Sequence, residues 1–257
     1  MKTAIKSLFQ RLGYNLHKIP EKPSSFVYDQ DGLRTAHSNA FMDGPDFQRA
    51  YARGQQALPK GLSYPIHWRL HIALWAASHA SRLGGDFVEC GVNYGFVSSA
   101  VMDYLDWNSL DSRFFLLDTF AGIADKMLTD EERDAGFSAE SKRKIEAGRY
   151  TVDFDSVTKN FSEWDRVQLI RGMVPATLSQ IESDRIAYLH LDMNCSQPEV
   201  QTLEALWDRI PVGGLVLMDD YTYWGYDSIR TGADDFATSK GVHICALPTG
   251  QGLMIKA

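Results

Sequence analysis

The chain has 257 residues, 44% hydrophobic and 23% charged, a globular balance that can bury one large core or one core with an appendage. Its formal net charge is −7 and its longest basic run is Lys142-Arg143-Lys144, which argues against a nucleic-acid backbone as the main partner, since that needs a basic face. No apolar run approaches membrane-spanning length, and Cys90, Cys195 and Cys245 lie far apart with no CxxC pair, so a soluble protein of a reducing, cytoplasmic setting is expected.

Met1 to Gly13 places Lys2, Lys6 and Arg11 around Ile5, Leu8, Phe9 and Leu12. That is an amphipathic helix too short and interrupted for a signal peptide; it reads as a docking helix for the same or another subunit, and a homo-oligomer is expected. Tyr14 to Asp46, with Pro20, Pro23, Gly32, Gly44 and Pro45 among polar residues, reads as an irregular arm. Helical periodicity follows over Asp46–Leu58 and Ile66–Leu83; in the second stretch Trp68, Ile72, Trp75, Ala76 and His79 share one face. Residues 1–65 are therefore assigned to an arm with helices, serving oligomerisation or as a cap, and 66–257 to the main domain.

After Gly84-Gly85 short apolar runs alternate with helices. Strands are expected at Asp86–Cys90, Arg113–Leu117, Val167–Ile170, Ile186–Leu191 and Leu215–Met218. Helices are expected at Phe96–Leu105, Ala176–Ile181, Gln197–Arg209 and Tyr226–Ser239. Two terminal strands, Val242–Ala246 and Gly252–Ile255, flank a tight Gly250-Gln251-Gly252 turn, so the last strand should run antiparallel at or near an edge. A polar insert, 121–163, separates the second strand from the third. This alternation predicts a doubly wound, Rossmann-like α/β fold with a mostly parallel sheet and helices on both faces.

Glu89-Cys90-Gly91-Val92-Asn93-Tyr94-Gly95 follows the first of these strands and opens a helix. In an open α/β sheet ligands bind where strands end at the switch point, and glycine there admits close approach to the backbone. The spacing E-x-G-x-x-x-G is not the G-x-G-x-x-G of dinucleotide enzymes, which disfavours a nicotinamide-dependent oxidoreductase. The next strand ends in Leu117-Asp118, where a carboxylate can accept both hydroxyls of a ribose. Further on, Asp192 and the pair Asp219-Asp220 end two strands with one helix between them. Three carboxylates converging at one sheet edge repel unless a cation or proton compensates, and Mg²⁺ commonly uses a few carboxylates while keeping positions for water or substrate. His67, His71 and His79 lack Cys partners or an HExxH pattern and do not point to zinc; His190 reads as a buried residue of the sheet face.

The ordered set Glu89-Cys90-Gly91-Val92, Leu117-Asp118-Thr119-Phe120, Leu191-Asp192 and Gly213-Gly214 leading to Asp219-Asp220-Tyr221 resembles the macrocin and mycinamicin sugar O-methyltransferases, from about Trp68 to the C-terminus. The resemblance implies a class I methyltransferase fold, S-adenosylmethionine as donor and a required Mg²⁺ held by Asp192, Asp219 and Asp220. It implies cofactor contacts from Glu89, Cys90, Gly91, Asn93, Tyr94, Gly95, Asp118, Thr119, Phe120, Arg171, Gly172 and Asp192. The acceptor is then a hydroxyl of a saccharide or small molecule, recognised by the insert acting as a lid. Family members commonly read Asp-x-Asp where this chain has Asp192-Met193-Asn194. Asn194 stands at the position of a candidate general base but cannot accept a proton at neutral pH. Methylation of a non-sugar hydroxyl and a catalytically silent cofactor-binding homologue remain the alternatives.

Overall fold

The computed structural model describes residues 26–257; the expected helix Met1 to Gly13 lies outside them. Residues 26–39 belong to a small unit of their own. In it β1 (Tyr28–Gln30) pairs antiparallel with β2 (Leu33–Thr35), so the stretch read as an irregular arm carries a hairpin, turned by Asp31 and Gly32, both with positive φ. The second unit spans 40–257. Its first helix, α1 (Pro45–Gln56), starts with Pro at its first turn, where a missing N–H costs nothing, and carries Asp46 near its start and Arg53 near its end, as the helix dipole favours.

In α2 (His67–Ala80) the buried residues are Leu70, Ala73, Leu74, Ala76, Ala77 and Ala80. Trp75 stays 48% exposed. The buried stripe is therefore rotated from the one the aromatic spacing predicted. Small alanines let the helix lie close to the sheet, and the bulky rings are left to its flanks.

The sheet follows as β3 (Asp86–Cys90), β4 (Phe114–Asp118), β5 (Val167–Arg171), β6 (Ile186–Leu191), β7 (Leu215–Met218), β8 (Cys245–Ala246) and β9 (Gly252–Ile255). Its spatial order is β5-β4-β3-β6-β7-β9-β8. The first five pair in parallel, while β9 runs antiparallel to both β7 and β8, which places the antiparallel strands at one edge as expected. The strand expected over Val242–Ala246 contracts to two residues, and the helix expected over Ala176–Ile181 to one 3-10 turn, Leu178–Gln180.

Side-chain alternation along each strand builds two cores. Phe87, Phe114, Leu116, Tyr188, Leu215 and Leu217 meet Phe47 and Ala50 of α1, Leu70 and Ala77 of α2, and Ala100 and Val101 of α3 (Phe96–Tyr104). Val88, Cys90, Phe115, Leu117, Leu189, Leu191, Val216 and Met218 meet Leu203 and Leu206 of α7 (Ser196–Leu206) and Ala233, Phe236 and Ala237 of α8 (Asp227–Lys240). The insert holds α4 (Asp130–Asp134), begun by a Thr129–Glu132 capping box, then α5 (Phe137–Glu146) and α6 (Phe154–Asn160). No helix among the described residues is long and apolar enough to cross a membrane.

Candidate active site

The chain runs outward from β3 through β4 to β5, then returns to place β6 on the other side of β3. Strand order therefore reverses between β3 and β6, and a crevice opens at their C-terminal ends. The two ends meet backbone to backbone. Asp192 N–H donates to Cys90 O at 2.9 Å, and a Cβ built on Gly91, whose φ is +98°, would stand 1.9 Å from Asp192 O. Only glycine permits this approach.

A cavity, enclosing about 690 Å³ of empty space when the solvent at its mouth is included, occupies the crevice, where open α/β sheets bind small molecules. Its walls are Gly91, Asn93, Leu117, Asp118, Thr119, Gly172, Val174, Asp192, Met193 and Asn194, with Gly122, Ile123, Met127, Tyr150 and Thr151 supplied by the insert. The structure thus brings together Gly91, Asn93, Asp118, Thr119, Gly172, Asp192 and Asn194 of the residues singled out in the sequence. The others lie around it. Strand alternation turns Glu89 toward the α2/α3 core, where it accepts hydrogen bonds from Ser98 Oγ and from His190 Nδ1, the latter at 2.8 Å. Cys90 faces the opposite core and burial pushes its thiol up. Tyr94 donates its hydroxyl to Gly148 O. Gly95, at φ +82°, passes close to the Phe161 ring. Phe120 is buried, and the Arg171 guanidinium lies over Phe154.

Asp118 sits at the end of β4. Its Oδ2 accepts the Asn93 N–H at 2.8 Å and its Oδ1 the Phe120 N–H at 2.7 Å. Burial raises this carboxyl above its ordinary range, while hydrogen bonding from the backbone of Asn93, Phe120 and Val92 and from the Thr119 side chain draws it back down. Both oxygens are acceptors at the cavity wall, the chemistry that suits hydroxyl donors. Asn93 also uses its side chain: Nδ2 donates to Arg149 O at 2.9 Å, and Oδ1 accepts from Thr151 N–H at 3.0 Å. The insert is thereby pinned over the glycine turn.

At the ends of β6 and β7, Asp192, Asp219 and Asp220 each place an oxygen within 4.8 Å of the others. Asp219 accepts from Arg69 Nη1 of α2 and, at 2.8 Å, from Gln251 Nε2 beside β9. His190 Nε2 faces it at 3.8 Å, an ion-pair distance longer than a hydrogen bond. Burial opposes its ionisation, but Arg69 and His190 hold the Asp219 carboxyl well below the usual range. Burial also opposes the charged form of His190, yet the flanking Asp219 and Glu89 outweigh it and raise the imidazole to about 10. For Asp220, burial and the Asp219 charge push the carboxyl up to about 7. Asp192 is raised by burial and by both neighbouring aspartates.

One buried oxygen of the cluster, Asp220 Oδ2, has no hydrogen-bond partner. A buried acceptor left so costs about 1–3 kcal/mol. Hard oxygen donors, excess negative charge and an unsatisfied acceptor match what a divalent cation requires. Arg69 and Gln251 escaped the sequence reading. An arginine in an otherwise apolar helical stretch was the available signal for the first; nothing local marked the second.

A doubly wound sheet with this strand order and a cavity at the switch point defines a class I methyltransferase fold. The family model described as Macrocin-O-methyltransferase (TylF) matches residues 71–246, and the chain belongs to that family. Among curated proteins it is similar to the demethyldecarbamoylnovobiocin O-methyltransferase of Streptomyces niveus, 28% identical over 146 residues, covering 55% of this chain and 54% of that protein. It is also similar to the 8-demethyl-8-(2,3-dimethoxy-alpha-L-rhamnosyl)-tetracenomycin-C 4'-O-methyltransferase of Streptomyces olivaceus, 27% identical over 172 residues, covering 63% of this chain and 62% of that one. The matches thus span between about half and three fifths of those relatives' length. Of solved structures, the O-methyltransferase NovP superposes with a TM-score of 0.63 at 20% identity, over 74% of this chain and 79% of that one. Calicheamicin methyltransferase CalS11 superposes with 0.54 at 15% identity, over 94% and 99%. At these identities the structural likeness establishes the fold.

Proposed function

We propose that this protein transfers a methyl group from S-adenosylmethionine to a hydroxyl of a sugar, in a saccharide or a glycosylated small molecule, with the help of Mg²⁺. The observation that carries this reading is a single cavity lined both by the strand-end acceptor Asp118 and by Asp192 of the under-compensated acidic cluster. Family membership and relatives named as methyltransferases of glycosylated products support it. When bound, the donor supplies an electrophilic methyl and the cation lowers the pKa of the acceptor hydroxyl.

Asp118 accepts the ribose hydroxyls, and the turn around Gly91 lets the ligand lie against backbone. Asp192, Asp219 and Asp220 would hold the cation, and Arg69 and Gln251 fix the Asp219 carboxylate by hydrogen bonds to its two oxygens. The insert, pinned by Asn93, roofs the cavity and excludes water. Residues 40–65, which contribute α1, belong with the main body in this reading, whereas 26–39 form the separate arm. The experiment is transfer of labelled methyl to a panel of sugars, glycosides and simple phenols, with and without chelator. The expected outcome is labelling of a sugar acceptor that chelator abolishes and Mg²⁺ restores. Labelling of phenols alone would favour the non-sugar reading, and labelling undiminished in chelator would refute the cation.

A further inference from the structure

Asn194, two residues beyond Asp192 and on the cavity wall, is held at an unusual density of contacts. Its Oδ1 accepts from Tyr150 Oη at 2.8 Å, from Tyr226 Oη at 3.1 Å and from Lys144 Nζ at 3.4 Å. Its Nδ2 donates to Asp192 Oδ1 at 2.9 Å. A lysine ammonium only donates. It therefore demands the carbonyl end of the amide on its own side, which turns the NH₂ toward Asp192. The ring of donors comes from separate places: Lys144 and Tyr150 from the insert, Tyr226 from the start of α8. Phe137 of the insert also packs edge-on against the Tyr226 ring, with centroids 5.3 Å apart.

We propose that Asn194 is a positioning residue that clamps the acceptor-side insert onto the acidic cluster through Lys144, Tyr150 and Tyr226. This rests on the methyl-transfer reading only where it concerns turnover. The amide reports the seating of residues 137–150 to Asp192. With the insert seated, Asp192 Oδ1 is occupied by the amide and its other oxygen is left to the cluster. A carboxylate in place of Asn194 accepts from the same three donors but has nothing to donate, and sets a like charge against Asp192. The side chain here is accordingly a brace, and it does not take the acceptor's proton.

Asn194 has φ +58°, a region asparagine, aspartate and glycine tolerate best, so its backbone alone could account for its presence. Two variants separate the roles. Asn194→Gly keeps the backbone and removes the amide; Asn194→Asp keeps the shape and removes the NH₂. Amide hydrogen exchange across 137–150 should accelerate about tenfold in Asn194→Gly, the change expected from losing a hydrogen bond or two. Lys144→Met should produce a similar acceleration alone and less than its full effect in the Asn194→Gly background, where its direct bonds to Tyr150 and Tyr226 are what is left to lose. Asn194→Asp should leave exchange close to that of the parent while lowering kcat about tenfold or more, with the acceptor KM little changed. Unchanged exchange in Asn194→Gly, fully additive effects of Lys144→Met, or a higher kcat in Asn194→Asp would each overturn the clamp. Exchange is read without substrate, so a failure to find any methyl acceptor would count against the proposed function and leave the clamp to be judged on exchange.

Discussion

Two stretches of the same sheet edge, one on each side of the cavity-lining turn at Gly91, are built on opposite principles. At the β3/β4 end the one carboxylate, Asp118, is tied by two backbone N–H groups, and a glycine turn brings β3 against β6 without side chains between them. At the β6/β7 end three carboxylates crowd together, one guanidinium and one imidazole offset part of their charge, and a buried oxygen stays unpartnered. The first end is complete as folded and ready for a polar ligand. The second is electrostatically incomplete, which costs stability and which, in the proposed function, a cation would relieve. One sheet edge thus holds a rigid receptor beside a charged socket.

The largest effect should come from breaking the rigid end. In Gly91→Ala the added Cβ meets Asp192 O in a backbone conformation that disfavours any side chain. Strain and overpacking together should cost about 4 kcal/mol, read as a shifted urea midpoint or failure to fold. An unchanged midpoint would mean that the ends of β3 and β6 are not locked together.

Next comes the socket. Asp219→Ala removes a carboxylate partner of the largely buried Arg69 and an acceptor of Gln251, and breaking such a buried pair should cost about 3 kcal/mol. Asp220→Asn, which discards a charge with no hydrogen bond on Oδ2, should instead leave the cation-free protein as stable as the parent or more so. Equal losses from the two substitutions would erase the distinction drawn between these neighbours.

A smaller, pH-dependent effect follows from the raised carboxyls. Asp220 titrates at about 7 when folded against an ordinary 3.8, so the folded state holds this proton more tightly than the unfolded chain. Its destabilisation sets in as pH rises from about 4 through about 7, and Asp192 acts in the same direction. The stabilisation from the depressed Asp219 carboxyl is already present across that window and is lost only at lower pH. His190, raised to about 10, contributes fully below 6.5 and fades above that window. The rise in Tm on adding Mg²⁺ should therefore be larger at pH 7.5 than at pH 5. Equal shifts at both values would contradict the socket.

The sequence made the fold legible because period-2 apolar runs, glycine turns and strand-end acids are local signals. Asp86–Cys90, Ile186–Leu191 and Leu215–Met218 were bounded as they stand in the structure. Gly91, Asp118 and Asp192 were readable for the same reason: each ends a strand. What stayed hidden is what chain-distant contacts decide. Arg69 reaches an aspartate 150 residues away, and Lys144 and Tyr150 reach Asn194 from within a polar insert. Glu89 reads as part of the glycine motif, but strand alternation turns it away from the cavity to meet His190. The shared face of Trp68, Ile72, Trp75, Ala76 and His79 did not tell which side of α2 is buried: apart from Ala76 the buried side is Leu70, Leu74 and further alanines, whose small size suits close packing.

The most direct test is a double dissociation by calorimetry, titrating the protein separately with adenosylmethionine and with Mg²⁺. Asp118→Ala should weaken adenosylmethionine binding by about 1.5–3 kcal/mol, the worth of a hydrogen bond to a charged group, and leave Mg²⁺ binding in place. Asp220→Asn should do the reverse. Unchanged adenosylmethionine affinity in Asp118→Ala, or Mg²⁺ binding indifferent to Asp220→Asn, would contradict the proposed division of this sheet edge into a cofactor site and a cation site.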